Sequence, residues 1–197
     1  DACGIASLIL SQTDFDCDHV GTIAVVLTIT DNNDNTSTCD AVVTVEDNIA
    51  PEALCQDVTV DLDVDGSGST TAALVDNGSN DACGLASIEI DADDADWGCD
   101  DIGENTVTLT VTDNNGNVST CDATVTIEDN IDPEAICEDI TIQLDEDGAA
   151  TITAVDIDGG SADACGLASI EIASDDADWN CDEVGENTVT LTVTDNN

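Results

Sequence analysis

Apolar and polar residues alternate along most of this chain. The clearest run is Thr106-Val107-Thr108-Leu109-Thr110-Val111-Thr112, where every second residue is apolar. A period of two belongs to a strand with one face turned inward. Read this way, the pattern predicts strands near 56–62, 69–75, 85–90, 105–112 and 118–127. Turn signals separate them: Asp65-Gly66-Ser67-Gly68, Asn77-Gly78 and Asn114-Asn115-Gly116-Asn117. No segment carries a 3.6-residue apolar stripe. The expected fold is all-β, built from short strands packed as an immunoglobulin-like β-sandwich of about 80 residues.

The same wording returns. Asp-Ala-Cys-Gly-(Ile/Leu)-Ala-Ser opens at residues 1, 81 and 163, so the phrase recurs after 80 and then 82 residues. Ser-Thr-Cys-Asp-Ala at 37–41 returns at 119–123, and Asn-Ile-x-Pro-Glu-Ala at 48–53 returns at 130–135. A period of this size marks a tandem array. Pro51 and Pro133 follow short acidic segments that read as linkers. The expected organisation is therefore the C-terminal part of a repeat at 1–48, a complete repeat at 49–130 and the N-terminal part of a third at 131–197, arranged as a linear array.

Charge narrows the choice of partners. The chain has 46 Asp plus Glu, no Lys or Arg, and one His. Nucleic acid and anionic membrane surfaces would repel it, so neither is an expected partner. No apolar run approaches the length of a membrane span, and direct insertion is not expected of this segment. Catalysis is not expected either. His19 aligns with Asp101 and Glu183, so no catalytic role repeats with it. The paired carboxylates that glycoside hydrolysis would require recur on every repeat without a recognisable cleft.

Ten cysteines fall at 3, 17, 39, 55, 83, 99, 121, 137, 165 and 181. Their regular spacing implies disulfides and an oxidising, extracellular location at a cell surface. Zinc would need close Cys-x2-Cys pairs, and there are none. If the chain enters and leaves each sandwich at opposite poles, Cys55 on the first strand meets Cys121 on the last. Cys83 then pairs with Cys99 across an acidic loop, and Cys3–Cys17 and Cys165–Cys181 follow in the flanking repeats. Cys39 and Cys137 are left for partners outside these residues. The alternative pairs Cys39 with Cys55 and Cys121 with Cys137, which requires the chain to double back at Pro51 and Pro133. Phe15, Trp97 and Trp179 each precede a cysteine by two and read as lids on a disulfide or core edge.

Cys55 on the first strand, Asp81-x-Cys83-Gly84, the Val-Gly-x-x-x-Val type of run before Thr-Val-Thr-Asp, and Asp-x-x-Gly-Asn-x-x-x-Cys together resemble hyalin-repeat (HYR) domains. The fuller phrase Pro-Glu-Ala-(Leu/Ile)-Cys-(Gln/Glu)-Asp-(Val/Ile)-Thr is similar to repeats of very large flavobacterial surface adhesins, including those used in gliding motility. The resemblance covers essentially the whole chain. It implies immunoglobulin-like, extracellular modules with an adhesive or spacing role.

Clustered carboxylates and turn carbonyls suit calcium, a hard ion that takes six to eight oxygens. Three groups of candidate ligands stand out. The linkers offer Glu46, Asp47, Asn48 and Glu52, then Glu128, Asp129, Asn130, Asp132 and Glu134. A D-x-D-x-D-G string offers Asp61, Asp63 and Asp65, with Asp145 and Asp147 as its later counterparts. Its twelfth position is Ala72, so it is not an EF-hand. The acidic loop offers Asp91, Asp93, Asp94 and Asp96, repeated as Asp175, Asp176 and Asp178. A solvated surface is the plain alternative at each. The function these features suggest is an extracellular stalk or spacer of a repetitive adhesin or fibre, locked by disulfides and stiffened by calcium. Its partners would be neighbouring repeats of the chain, or identical chains in a fibre. A self-assembling filament or sheath subunit is one alternative. A ligand-binding adhesive module, including an ice-binding one using the Thr-x-Thr strands 106–112 and 188–194, is another.

Overall fold

A computed structural model describes residues 2–91, 95–173 and 176–196. The protein is all-β, as the alternation predicts, with strands that are mostly antiparallel. It divides into two compact units. The first comprises Asp1–Cys55, Asp76–Glu89 and Thr108–Cys121; the second comprises Gln56–Val75, Ile90–Val107 and Asp122–Asn197.

In the first unit, β1 (Ile5–Leu10), β2 (Gly21–Asp31) and β3 (Thr36–Val45) form a three-stranded antiparallel sheet. The β2–β3 pairing runs unbroken from Gly21↔Val45 to Thr30↔Thr36. A turn at Asp31 closes that hairpin, with one carboxylate oxygen accepting the Asn33 and Asn35 amides at 2.7 and 2.9 Å. Beyond the linker, short bridges join Glu52 to Asn80 and Cys55 to Asp76.

The central sheet has the order β4-β9-β8-β6, formed by β4 (Val58–Asp61), β6 (Leu85–Ile90), β8 (Gly103–Asp113) and β9 (Val118–Glu128). β4 lies parallel to β9, from Val58↔Val125 to Asp61↔Glu128. In the second unit, β5 (Ser67–Ser69) pairs with β7 (Asp96–Gly98). One core there gathers Val60, Leu62, Trp97, Val107, Val125 and Ile127. In the third repeat, β10 (Ala149–Thr151) pairs with β12 (Asp178–Asn180), and β11 (Leu167–Ile172) with β13 (Leu191–Asp195). A separate core forms from Ile152, Ala154, Ile157 and Leu191.

Two expectations need correcting. The strand predicted over 69–75 ends at Ser69, and α1 (Ala72–Val75) follows as one helical turn, matched by α2 (Ala154–Ile157). The Leu74 amide bonds the Thr71 carbonyl at 3.0 Å, which turns the chain and buries Val75. Four residues are too few to show a helical stripe. The second correction is a three-residue strand at 96–98, followed by a 3-10 turn at Cys99–Asp101.

Candidate functional site: the repeat junctions

Three disulfides join Cys17 to Cys83, Cys55 to Cys121 and Cys99 to Cys165, each across 66 residues. The Cys55–Cys121 bridge ties the start of the central repeat to β9. The pairings expected within a repeat, Cys3–Cys17, Cys83–Cys99 and Cys165–Cys181, are overturned. Cys83 holds Cys17 and Cys165 holds Cys99, so both bridges run from one sequence repeat to the next. The reason lies in β6, which runs between Cys83 and Cys99. Its six residues, at about 3.3 Å each, carry the chain roughly 20 Å and set the two cysteines at opposite strand ends. Cys39, Cys137 and Cys181 are exposed thiols in this structure.

The repeated phrase Asp-Ala-Cys-Gly now acquires a local explanation. Gly84 has φ +89°, and a Cβ there would meet the Asn114 side chain at 2.8 Å. The glycine therefore leaves room for Asn114 Nδ2 to donate to the Cys83 carbonyl at 2.9 Å. Gly4 and Asn32 repeat the arrangement, with Asn32 Nδ2 donating to the Cys3 carbonyl at 2.7 Å. The phrase is pinned by the Asn-rich turn of its own repeat, which presents its cysteine to the preceding repeat.

That turn also holds the linker. Asn117 Nδ2 donates to the carbonyls of Asp47 and Ile49 at 3.1 and 3.2 Å, and to Asp113 Oδ2 at 2.7 Å. Asp113 is 1% exposed and also accepts the Asn115 and Asn117 amides, each at 2.8 Å. Burial works against its charge, but the Asn117 side chain and the surrounding amides outweigh this and hold its carboxyl below the ordinary value. Asp113 is thus an anchor for the turn and, through Asn117, for the linker.

Among the described residues, Asp47, Asp81 and Cys83 bring donor atoms within 4.8 Å of one another. The Cys83 sulfur is committed to its disulfide, which leaves two carboxylates facing across the first junction. Each uses one oxygen locally: Asp47 accepts the Ile49 amide at 3.1 Å, and Asp81 the Cys83 amide at 2.7 Å. Asp129 and Asp163 repeat these bonds in the second unit, accepting from Ile131 at 3.0 Å and Cys165 at 2.8 Å. Asp129 is 8% exposed, and its other oxygen is buried with no hydrogen-bond partner. Asp81 and Asp163 stand in the repeated phrase. The sequence gave no spacing signal to bring them beside the linker acids.

The remaining candidates scatter. Glu46 accepts Asn48 Nδ2 and Glu52 accepts Asn80 Nδ2, both at 3.3 Å. Glu128 accepts Asn130 Nδ2 at 3.3 Å, and the same nitrogen reaches Asp61 at 2.9 Å. Asp132 and Glu134 are exposed. Asp63 takes the amides of Ser67 and Asp65, which lower its carboxyl, and serves as the hinge of a hairpin tip. Asp145 does the same for Ala149 and Asp147. Asp65 and Asp147 are exposed, as are Asp91, Asp96 and Asp178, while Asp176 is half-buried. Asp93, Asp94 and Asp175 lie outside the described residues.

At the second junction Gly66 has φ +73°, and a Cβ there would meet Cys99 Sγ at 2.7 Å and the Ala164 methyl at 3.3 Å. Close backbone approach by glycine is what lets the following repeat's Cys165 reach Cys99. The Trp97 ring lies in the same core, its Nε1 donating to Thr70 Oγ1 at 2.8 Å.

No family model matches the chain, nor does any curated protein. Solved structures offer distant likenesses. Extracellular cadherin domains 1–4 of protocadherin gamma B7 align over 97% of this chain and 58% of that one, at 17% identity and a TM-score of 0.33. Domains 1–5 of protocadherin gamma B2 align over 97% and 46%, at 16% identity and a TM-score of 0.31. The chain spans about half the length of these structures. Scores of this size establish neither kinship nor function.

Proposed function

We propose that the chain is a segment of an extracellular stalk or spacer, of the kind that holds a surface adhesin or fibre away from its cell. One observation carries this reading: consecutive sequence repeats are bolted together by Cys17–Cys83 and Cys99–Cys165. A binding module needs no covalent bond to its neighbour, whereas a spacer that must keep its length gains from one. Disulfides also suit an oxidising compartment outside the cytosol, and the HYR-like wording agrees with a surface array. Electron micrographs of the purified chain should show single slender particles. Wide helical polymers would instead favour the filament reading.

Calcium is the counter-ion this chemistry fits. The chain has 46 acidic residues and no Lys or Arg, so a carboxylate pair such as Asp47 and Asp81 has no basic side chain to neutralise it. Oxygen donors alone select a hard cation over zinc. The same reading covers Asp129, whose orphaned buried oxygen would otherwise cost free energy. Calcium titration calorimetry of the chain should show binding that weakens when Asp47→Asn and Asp81→Asn are combined. Identical heats from that variant would remove this junction as a site, and no heat at all would remove calcium.

A further inference from the structure

The bridges interlock, and that has a mechanical result. The loops 17–83, 55–121 and 99–165 overlap along the chain. Starting at Cys17, the shortest covalent route crosses to Cys83, follows the backbone to Cys99 and crosses to Cys165. The residues from 17 to 165 are 148 steps apart by backbone but only 16 steps and two bridges apart by this route. Of the residues between Cys83 and Cys99, β6 and β7 are already extended, so the route holds little slack.

We infer that the interlocked disulfides form a strap that carries tension past the folded repeats, making this segment a nearly inextensible tether. Its biological use rests on the stalk reading; its mechanics do not. No pulling force can separate Cys17 from Cys165 beyond the reach of 16 residues and two bridges, about 65 Å in all. β8 and β9 lie off the strap, so their unfolding releases no length. Bridges confined within repeats would behave otherwise, because force would then run through 38 residues before Cys55 and 44 after Cys121.

Single-molecule pulling on the full chain, held at its two ends, separates the cases. The strap leaves 16 residues before Cys17, 16 between Cys83 and Cys99 and 32 after Cys165, a contour of about 220 Å. Reduction with a phosphine should release all 197 residues and lengthen the contour about threefold, to roughly 670 Å. Pairing within repeats would give about 340 Å before reduction and would overturn the proposal. Two variants sharpen it. Combining Cys99→Ser with Cys165→Ser should nearly double the oxidised contour, whereas combining Cys55→Ser with Cys121→Ser should leave it unchanged, because that bridge lies off the shortest route. Lengthening of the second variant, in molecules whose Cys17–Cys83 and Cys99–Cys165 bridges are verified by non-reducing peptide mapping, would also sink the strap. Contour is read by force and particle shape by microscopy, so the strap and the stalk reading fail separately.

Discussion

The first and central repeats share their wording, but their apolar residues meet different fates. In the central repeat Val107, Leu109, Val111, Val125 and Ile127 are all 0–1% exposed. Their counterparts Leu27, Ile29, Val43 and Val45 are only half-buried, and Val25 alone is fully buried. On β1, Leu8 and Ile9 are each 60% exposed. The strands are the same; the cover is not. In the central repeat that cover comes from the segment just after the linker, where Val60 and Leu62 pack on Val107, Val125 and Ile127. The strand hairpin is therefore half of a core, and the complete repeat, from linker to linker, is the unit that closes. Burial follows the partner segment more than the local alternation, because alternation names a face without saying what lies on it.

The largest effect should come from the bridge that fastens this cover to β9. Combining Cys55→Ser with Cys121→Ser frees a 66-residue loop and should cost about 4 kcal/mol. Hydrogen exchange at Val107 and Leu109 should then approach that at Val25 and Leu27. Unaltered exchange would show that packing alone holds the cover. Next comes the core itself: Leu109→Ala should cost about 3 kcal/mol in denaturant unfolding and Leu27→Ala about 1 kcal/mol. Equal losses would erase the contrast between the two repeats.

A smaller test uses the tryptophans. Trp97 Nε1 bonds Thr70, but the third repeat has Ile152 at the place of Thr70, and the buried Trp179 Nε1 has no partner. Thr70→Val should cost about 1–2 kcal/mol, while Ile152→Val, which removes no acceptor, should cost about 1 kcal/mol or less. The smallest effect is acidic. Asp31 and Asp113 anchor equivalent turns, and both carboxyls are held below the ordinary value, Asp31 chiefly by the Asn35 side chain. Because the folded state lowers them, their stabilisation is complete above about pH 4 and is lost as pH falls further. Thermal melts from pH 5 to 2.5 should fall less steeply for Asp113→Asn than for the parent chain; parallel curves would rule out Asp113 as a source of the slope.

Much of the fold was legible in the residues. The run from Thr106 to Thr112 names β8, and the apolar side chains at 107, 109 and 111 are fully buried. The helical turn at 72–75 was illegible because one turn has no period. The cysteine partners were illegible for a different reason. In a periodic chain, intervals of 16 and 66 residues recur equally often, so spacing cannot choose between neighbours within a repeat and neighbours across a junction. The choice depends on which pole each cysteine occupies, and a six-residue strand between Cys83 and Cys99 decides it. Asp81 stayed hidden for the same reason. Only the fold of Gly84 over Asn114 places the phrase against the linker.

The overlapping loops also bear on survival outside a cell. From Cys17 to Cys165, every peptide bond lies inside at least one closed ring, and those between Cys55 and Cys83 or between Cys99 and Cys121 lie inside two. A protease that nicks the backbone anywhere in this stretch breaks a ring and leaves the molecule in one piece. With no Lys or Arg, the chain also offers nothing to trypsin-like enzymes. Damage here accumulates as scars before it becomes a severed end.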